Sequence, residues 1–314
     1  MSGVPFGKVE YWDERFTRNE SPFDWLLPPQ ALDRPILEAM GTLPTHPQIH
    51  HIGCGTSSVS LHLRKLVENP QQIHNTDFSK VAVEIGEKWE RQVFNEAEGS
   101  KSGNGTTPKP INTSLSGSLA DGTAPEAQRR QDDGVPHEQP PRRMCWSALD
   151  LLSLDQILLL PRRYDITIDK STSDSISCAE DPTIVLPYPL RATDSKRAYP
   201  PLPPHFRSKV HPLHLLAVHL AYLTSPGGRW IALSYSGSRF PYWPPYPSSV
   251  DEGLLQQEIV DGGFVHPGRL WRLESQEMLQ APQSETDGDH VVHRPEIVNY
   301  LYVMTRTNVA IERT

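Results

Sequence analysis

Ile49-His50-His51-Ile52-Gly53-Cys54-Gly55-Thr56-Ser57 is the stretch on which the fold turns. A short strand ending in an apolar residue runs into a Gly-x-Gly turn. A helix comes next, capped by Ser57 or Ser58, with Val59, Leu63 and Leu66 on its inner side. Glycine permits the tight turn and lets a ligand approach the main chain where a side chain would block it. The next strand, Ile73 to Asp77, closes on a carboxylate 24 residues after Gly53. That is where a nucleoside ribose presents its hydroxyls to an acceptor. Turn, helix and delayed aspartate together point to a nucleoside-containing cofactor.

Around this stretch, the order strand–helix–strand–helix predicts a parallel sheet with crossover helices. Tyr11 to Phe16 reads as a short helix with Trp12 and Phe16 on one face, and Ala31 to Met40 as a second. Ser79 can cap a helix running to about Phe94. Later strands are expected at Met144 to Trp146, Tyr164 to Asp169 and Trp230 to Tyr235, with late strands at Leu270 to Leu273 and Ile297 to Met304 as a closing hairpin. Helices are expected over Leu213 to Leu223, closed by Pro226-Gly227-Gly228, and over Leu254 to Val260, stopped by Gly262-Gly263. The expected fold is a Rossmann-like α/β domain over residues 1–314. Its seven-stranded, mostly parallel sheet carries helices on both faces and an antiparallel last strand. Two segments interrupt the pattern. Residues 96–141 are rich in Ser, Gly, Pro, Gln and Asp and read as a disordered insertion; residues 178–208 read as a Pro-rich irregular insertion.

Composition narrows the function. The 314 residues carry a net charge of −8, which gives no basic footprint for nucleic acid or anionic membrane. Cys54, Cys145 and Cys178 are scattered without metal-ligand spacing, as expected of thiols in a reducing compartment. The N-terminus has neither a secretory core nor transit-peptide character, and no apolar run reaches the roughly 18 residues that span a bilayer. The expected location is cytoplasmic, the nucleus being the alternative.

A dinucleotide site needs room for pyrophosphate and usually shows a third glycine; Ser58 stands there instead, which ranks a nicotinamide oxidoreductase last. S-adenosylmethionine has no phosphate and tolerates this turn. Tyr11-Trp12-Asp13-Glu14-Arg15-Phe16, Phe23-Asp24-Trp25, Ile52-Gly53-Cys54-Gly55-Thr56-Ser57 and Thr76-Asp77-Phe78-Ser79 resemble class I methyltransferases of the methyltransferase-like group. Better-known members of that group methylate lysines of translation elongation factor 1A. Trp146 to Leu151, Tyr164 to Lys170 and Pro226-Gly227-Gly228 keep the resemblance in order.

The resemblance implies S-adenosyl-L-methionine as cofactor and a protein side chain, lysine first, as methyl acceptor, with an elongation factor as a candidate partner. A small-molecule acceptor and a catalytically silent binding protein are the alternatives. It implies that Trp12, Phe16 and Trp25 enclose the cofactor, that Arg15 meets its carboxylate, and that Gly53, Cys54 and Gly55 lie under its methionine part. Asp77 would bind the ribose, Phe78 flank the adenine, and Asp150 with Leu151 hold the adenine edge. Lys170 would line the pocket beside the transferring methyl, and Asp169 would be an acceptor or orienting group. Ser171 departs from the glycine usual after that lysine, and Thr172-Ser173-Asp174 match loosely.

Plainer readings stand beside these. The tryptophans could be core anchors and Asp77 a helix cap. His50 and His51 are strand neighbours facing opposite ways, so they cannot line one site. His211, His214 and His219 read as structural rather than as metal ligands. The run Phe240 to Tyr246 is either a substrate-facing loop or a proline-stiffened connection. An open acceptor mouth would favour a protein substrate, an enclosed one a metabolite.

Overall fold

The structure, a computed structural model, describes residues 4–101, 143–160, 163–193, 206–280 and 297–314. In chain order its elements are α1 (Val9–Arg18), α2 (Asp33–Thr42), β1 (Ile49–Ile52), α3 (Val59–Leu66), β2 (Ile73–Asp77), α4 (Lys80–Lys101), β3 (Cys145–Ala148), α5 (Leu154–Ile157) and β4 (Tyr164–Lys170). Next come α6 (Thr172–Ile176), β5 (Thr183–Leu186), β6 (Leu190–Ala192), β7 (Phe206–Lys209), α7 (Pro212–Leu223), β8 (Thr224–Ser234), α8 (Gln257–Asp261), α9 (Pro267–Leu270), β9 (Trp271–Gln280), β10 (Val298–Arg306) and β11 (Ile311–Arg313).

Seven strands form one sheet in the order β3-β2-β1-β4-β8-β10-β9. The pairs β1–β2, β1–β4, β2–β3 and β4–β8 are parallel, and β10 runs antiparallel to both β8 and β9. This is the Rossmann-like, mostly parallel arrangement expected from the sequence. β1 sits between β2 and β4, so the chain order reverses there. A crevice opens beyond the carboxyl ends of strands at such a switch point.

Alternating side chains give the sheet two apolar faces. On β8, Ile231 and Leu233 join Ile49, Ile73, Ile166 and Ile168 beneath α2 and α3. Trp230 and Ala232 point the other way, into a core built with Leu213, Leu216 and Leu220 of α7. Helix α7 is buried along almost all its length, which explains why it is apolar on every side.

Several boundaries differ from the sequence reading, β9 running on to Gln280 and α8 starting only at Gln257, and three differences have a clear local cause. Helix α4 continues to Lys101 instead of ending at Phe94, because Glu96-Ala97-Glu98 are good helix formers. The remainder of the expected insertion, 102–141, lies outside the described residues. Within 178–208, β5 pairs with β7 and β6 pairs with the C-terminal β11. Pro182, Pro187 and Pro189 fall between these strands, not inside them, so a proline count misread ordered edges as irregular chain. Residues 194–205 are outside the described set. Finally, β8 starts at Thr224, so Pro226-Gly227-Gly228 is a strand irregularity and not a stop. Gly227 takes a positive φ there, and the β4–β8 register shifts between Tyr164 and Ile166.

Candidate cofactor and acceptor site

The glycine turn after β1 is held in place by two main-chain requirements. Gly53 and Gly55 have φ of 55° and 49°, a region where a Cβ is strained. A Cβ on Gly53 would also overlap the Thr172 side chain, whose hydroxyl donates to the Ile52 carbonyl at 2.9 Å. The turn and the start of α6 therefore interlock. Gly55 faces Phe16, leaving its backbone bare toward the crevice.

Asp77 ends β2 beside this turn. Its carboxylate accepts the Gly55 N–H at 2.7 Å and the Ser79 N–H at 2.8 Å, one on each oxygen. Burial nevertheless pushes its pKa up to about 6, against those two bonds and with a small further push from Asp13. Each oxygen keeps a second acceptor position. Ser79, not Asp77, takes the Ala82 N–H and caps α4.

The end of β3 supplies Leu149 to Leu152. Leu149 N–H donates to the Asp77 carbonyl at 2.7 Å, and the Asp150 carboxylate accepts the Leu152 N–H at 2.8 Å. Burial raises the Asp150 carboxyl above its ordinary range. Leu151 is fixed from behind. His219 Nδ1–H donates to its carbonyl at 2.7 Å while Nε2 accepts the Tyr188 hydroxyl at 2.6 Å. Burial holds that imidazole neutral, its pKa lowered to about 4.

A cavity of about 760 Å³ runs across the ends of β1, β2, β3 and β4. Of the residues singled out from sequence, Trp12, Phe16, Trp25, Gly53, Cys54, Gly55, Asp77, Phe78, Asp150, Leu151 and Lys170 all line it. The aromatic side is a ring cluster: Trp12 stacks on Phe16 at 5.6 Å, and Phe6 meets Trp25 edge-on at 6.1 Å. Phe78 stands half out at the rim. Cys54 is wholly buried, and burial drives its thiol well above the usual range.

Two singled-out residues do not line the cavity. The Arg15 guanidinium lies over the Phe23 and Trp25 rings, 4.6 and 5.4 Å from their centroids, bracing the aromatic wall. Asp169 is fully buried behind the end of β4. It accepts from the Thr172 and Ser173 N–H groups, the Ser173 hydroxyl and the Trp230 indole, so its four lone-pair sites are filled. It fixes the start of α6, and burial raises its pKa to about 6.

Lys170 is the buried cation of the site. Its ammonium lies 3.1 Å from Asp24 Oδ1 and also donates to the Trp25 carbonyl. Asp24 in turn accepts from the Ser57 hydroxyl at 2.6 Å, from the Ser58 hydroxyl and from the Ser58 N–H. Burial would raise the Asp24 carboxyl, but these serines and Lys170 together hold it below its ordinary value. Burial depresses Lys170 more than Asp24 raises it. Sequence reading assigned Asp24 no role, and the signal was present: it sits inside the Phe23-Asp24-Trp25 motif and is that motif's only charge.

Ser171 carries the departure from the family glycine, and the backbone shows why glycine is usual: φ is 67°. The serine recovers something by donating to Asp174 Oδ2 at 2.9 Å. Asp174 is buried and paired with Arg239 at 2.7 Å, which anchors α6 to the end of β8.

Several lining residues carried no sequence signal. Val4 to Lys8 pass over the cavity, and Ser175, Ile176, Cys178, Ala179, Glu180 and Pro182 form the wall beyond Lys170. The strap is fastened by the Trp12 indole N–H, which donates to the Phe6 carbonyl at 2.7 Å. Gly7 sits so close to the loop after α6 that a Cβ would lie 2.5 Å from Ala179 Cα. The aromatic run at Phe240 is a core connection, since Phe240 and Tyr242 are buried against Trp230 and its neighbours. His50 and His51 bond on opposite sides of β1, to Thr76 and to Ser60. Among the described residues no helix is long and apolar enough to cross a membrane.

No protein-family model matches the chain. Among curated proteins it is 28% identical over 182 residues to the methyltransferase srdJ of Neurospora crassa, covering 57% of this chain and 58% of that one. The chain thus spans somewhat over half the length of the curated relative it matches. Among solved structures, one concerns conversion of a disulfide bond into a thioacetal group during echinomycin biosynthesis (16% identity, 95% of this chain and 91% of that one, TM-score 0.44). Another is the magnesium protoporphyrin IX methyltransferase of Synechocystis PCC 6803 with bound S-adenosylmethionine (11% identity, 95% of each chain, TM-score 0.41). At TM-scores below 0.5 neither likeness bears on the activity of this chain.

Proposed function

We propose that this chain is an S-adenosylmethionine-dependent methyltransferase acting on a small molecule. The observation that carries the reading is the cavity itself. It joins the glycine turn and Asp77 to a half-open, largely apolar cleft past Lys170, lined on its outer side by Val4 to Lys8. A single apolar-lined cleft of about 760 Å³ suits a cofactor with a small molecule beside it, whereas a lysine on a folded protein calls for a shallower surface. The small-molecule alternative therefore replaces the lysine acceptor and elongation-factor partner that the sequence resemblance implied.

The residues present fit the cofactor. Gly53 and Gly55 leave bare main chain for its methionine part, and Asp77 retains acceptor sites for two ribose hydroxyls. Phe78 offers a half-exposed ring and Asp150 a carboxylate for the adenine. When bound, S-adenosylmethionine supplies a sulfonium-activated methyl group. The protein's share is positioning and exclusion of water. The Asp24–Lys170 pair locks the aromatic wall onto the glycine turn, Thr172 and Asp169 set the start of α6, and Val4 to Lys8 line the outer side. Among the described residues no buried side chain at the end of β4 is free to act as a strong base: Asp169 has no vacant acceptor site, and Asp24 faces Lys170.

The test is methyl transfer from labelled S-adenosylmethionine into a metabolite extract and, separately, into a protein extract. Label recovered in small molecules supports the reading. Label confined to protein overturns it.

A further inference from the structure

Resting on the methyltransferase reading, the charge pattern of the cavity narrows the acceptor. The strand order puts β2 and β3 on one side of β1 and β4 on the other. Asp77 and Asp150, which fit the nucleoside, therefore lie on one side, and the chamber beyond β4 is left for the acceptor. On that side the enclosed charged group lining the cavity is Lys170. Lys170 lines the chamber and its partner Asp24 does not. Lys170 is almost fully buried, its side chain 2% exposed. Two of its three N–H donors are used, by Asp24 and the Trp25 carbonyl. The carboxylate lining the far wall, Glu180, is 91% exposed at the rim and pairs loosely with Lys8 at 3.7 Å. Among the described residues no enclosed carboxylate lines this side, while a buried ammonium with a spare donor calls for an oxygen acceptor.

We infer that the methyl acceptor is a small, largely apolar molecule bearing an acidic hydroxyl, which binds as its oxyanion against Lys170 and is methylated on that oxygen. The proton leaves to solvent as the acceptor binds, so no base is needed at the end of β4. The oxyanion then attacks the methyl carbon. The O–C bond forms as the C–S bond breaks, and the bonding pair stays on sulfur as a neutral thioether. Phe6, Trp25, Ile176 and Pro182 supply apolar walls for the body of such a molecule.

The experiment uses the full chain loaded with S-adenosylhomocysteine, loading being verified first by calorimetry. Failure to load is failure of the methyltransferase reading and is distinct from failure of the acceptor inference. The loaded protein is titrated with 4-nitrophenol, at a pH where the free phenol is mostly protonated, and with benzylammonium. The expected result is nitrophenol bound with the phenolate absorption band and benzylammonium bound at least about tenfold more weakly. Lys170→Gln should lose the phenolate band and about tenfold in nitrophenol affinity, and Lys170→Arg should keep the band. Binding of the protonated phenol, equal or tighter binding of benzylammonium, or no binding of either probe to the loaded wild type overturns the inference. The wild-type comparison decides even if Lys170→Gln does not fold.

Discussion

Lys170 at the end of β4 and Asp24 in the aromatic segment before α2 form an ion pair at 3.1 Å, with the lysine side chain 2% exposed and the aspartate 25%. The pair joins two parts of the chain 146 residues apart, and Ser57 and Ser58 draw the glycine turn into the same knot. One carboxylate thereby holds three walls of the cavity.

Removing it should be felt in both stability and binding. Asp24→Ala leaves a buried ammonium with only a carbonyl partner. Since Asp24 is partly exposed, the expected loss is about 2 kcal/mol, below the ~3–5 kcal/mol of a fully enclosed pair. Chemical denaturation of wild type and mutant checks this; a change under about 0.5 kcal/mol would mean the pair is not formed as described.

Asp77 should make cofactor affinity depend on pH. Its folded-state value, about 6, lies above the ordinary 3.8 because burial penalises the charge. Ribose hydroxyls need the ionised acceptor, so affinity should level off about one unit above the pKa of about 6 and fall by up to about tenfold per unit below it. The same sign means that this carboxyl costs the ligand-free fold stability as pH rises through the window from about 4 to 6. Calorimetry from about pH 5 to 8 reads the first effect; a flat profile would refute it.

Gly53→Ala should be severe. It combines a φ of 55° with overlap onto Thr172. Backbone strain alone costs roughly 1–2 kcal/mol, and displacing Thr172 disturbs α6 as well. Loss of cofactor binding with a clearly lowered Tm is the expected outcome, and wild-type affinity the contrary one.

Gly7→Val addresses the strap. A side chain there must push Val4 to Lys8 off Ala179. Limited proteolysis should then cut the N-terminal segment faster, with the melting temperature little changed, because the sheet core is remote. Unaltered cleavage would show that the contact does not hold the strap.

The glycine turn, the parallel sheet and most of the cavity lining at the ends of β1 to β3 were legible because each rests on local rules: a Gly-x-Gly turn, alternating apolar strands, an aspartate at a strand end. Three things were not. The wall from Ser175 to Pro182 is assembled by tertiary packing of α6 and β5, and proline counting hid β5 and β6. The Asp24–Lys170 pair joins residues whose proximity no local pattern encodes. Asp169 looked like a site residue in sequence, yet its carboxylate is consumed by α6 and Trp230. Position at a strand end cannot say which way a side chain is spoken for.

Whether this cavity binds S-adenosylmethionine decides everything built on it, and calorimetric titration of the wild type beside Asp77→Ala reads that binding directly. Micromolar affinity, about −8 kcal/mol, that collapses in the mutant is the expected result. A well-folded wild type that shows no binding would contradict the cofactor site and the methyltransferase reading with it.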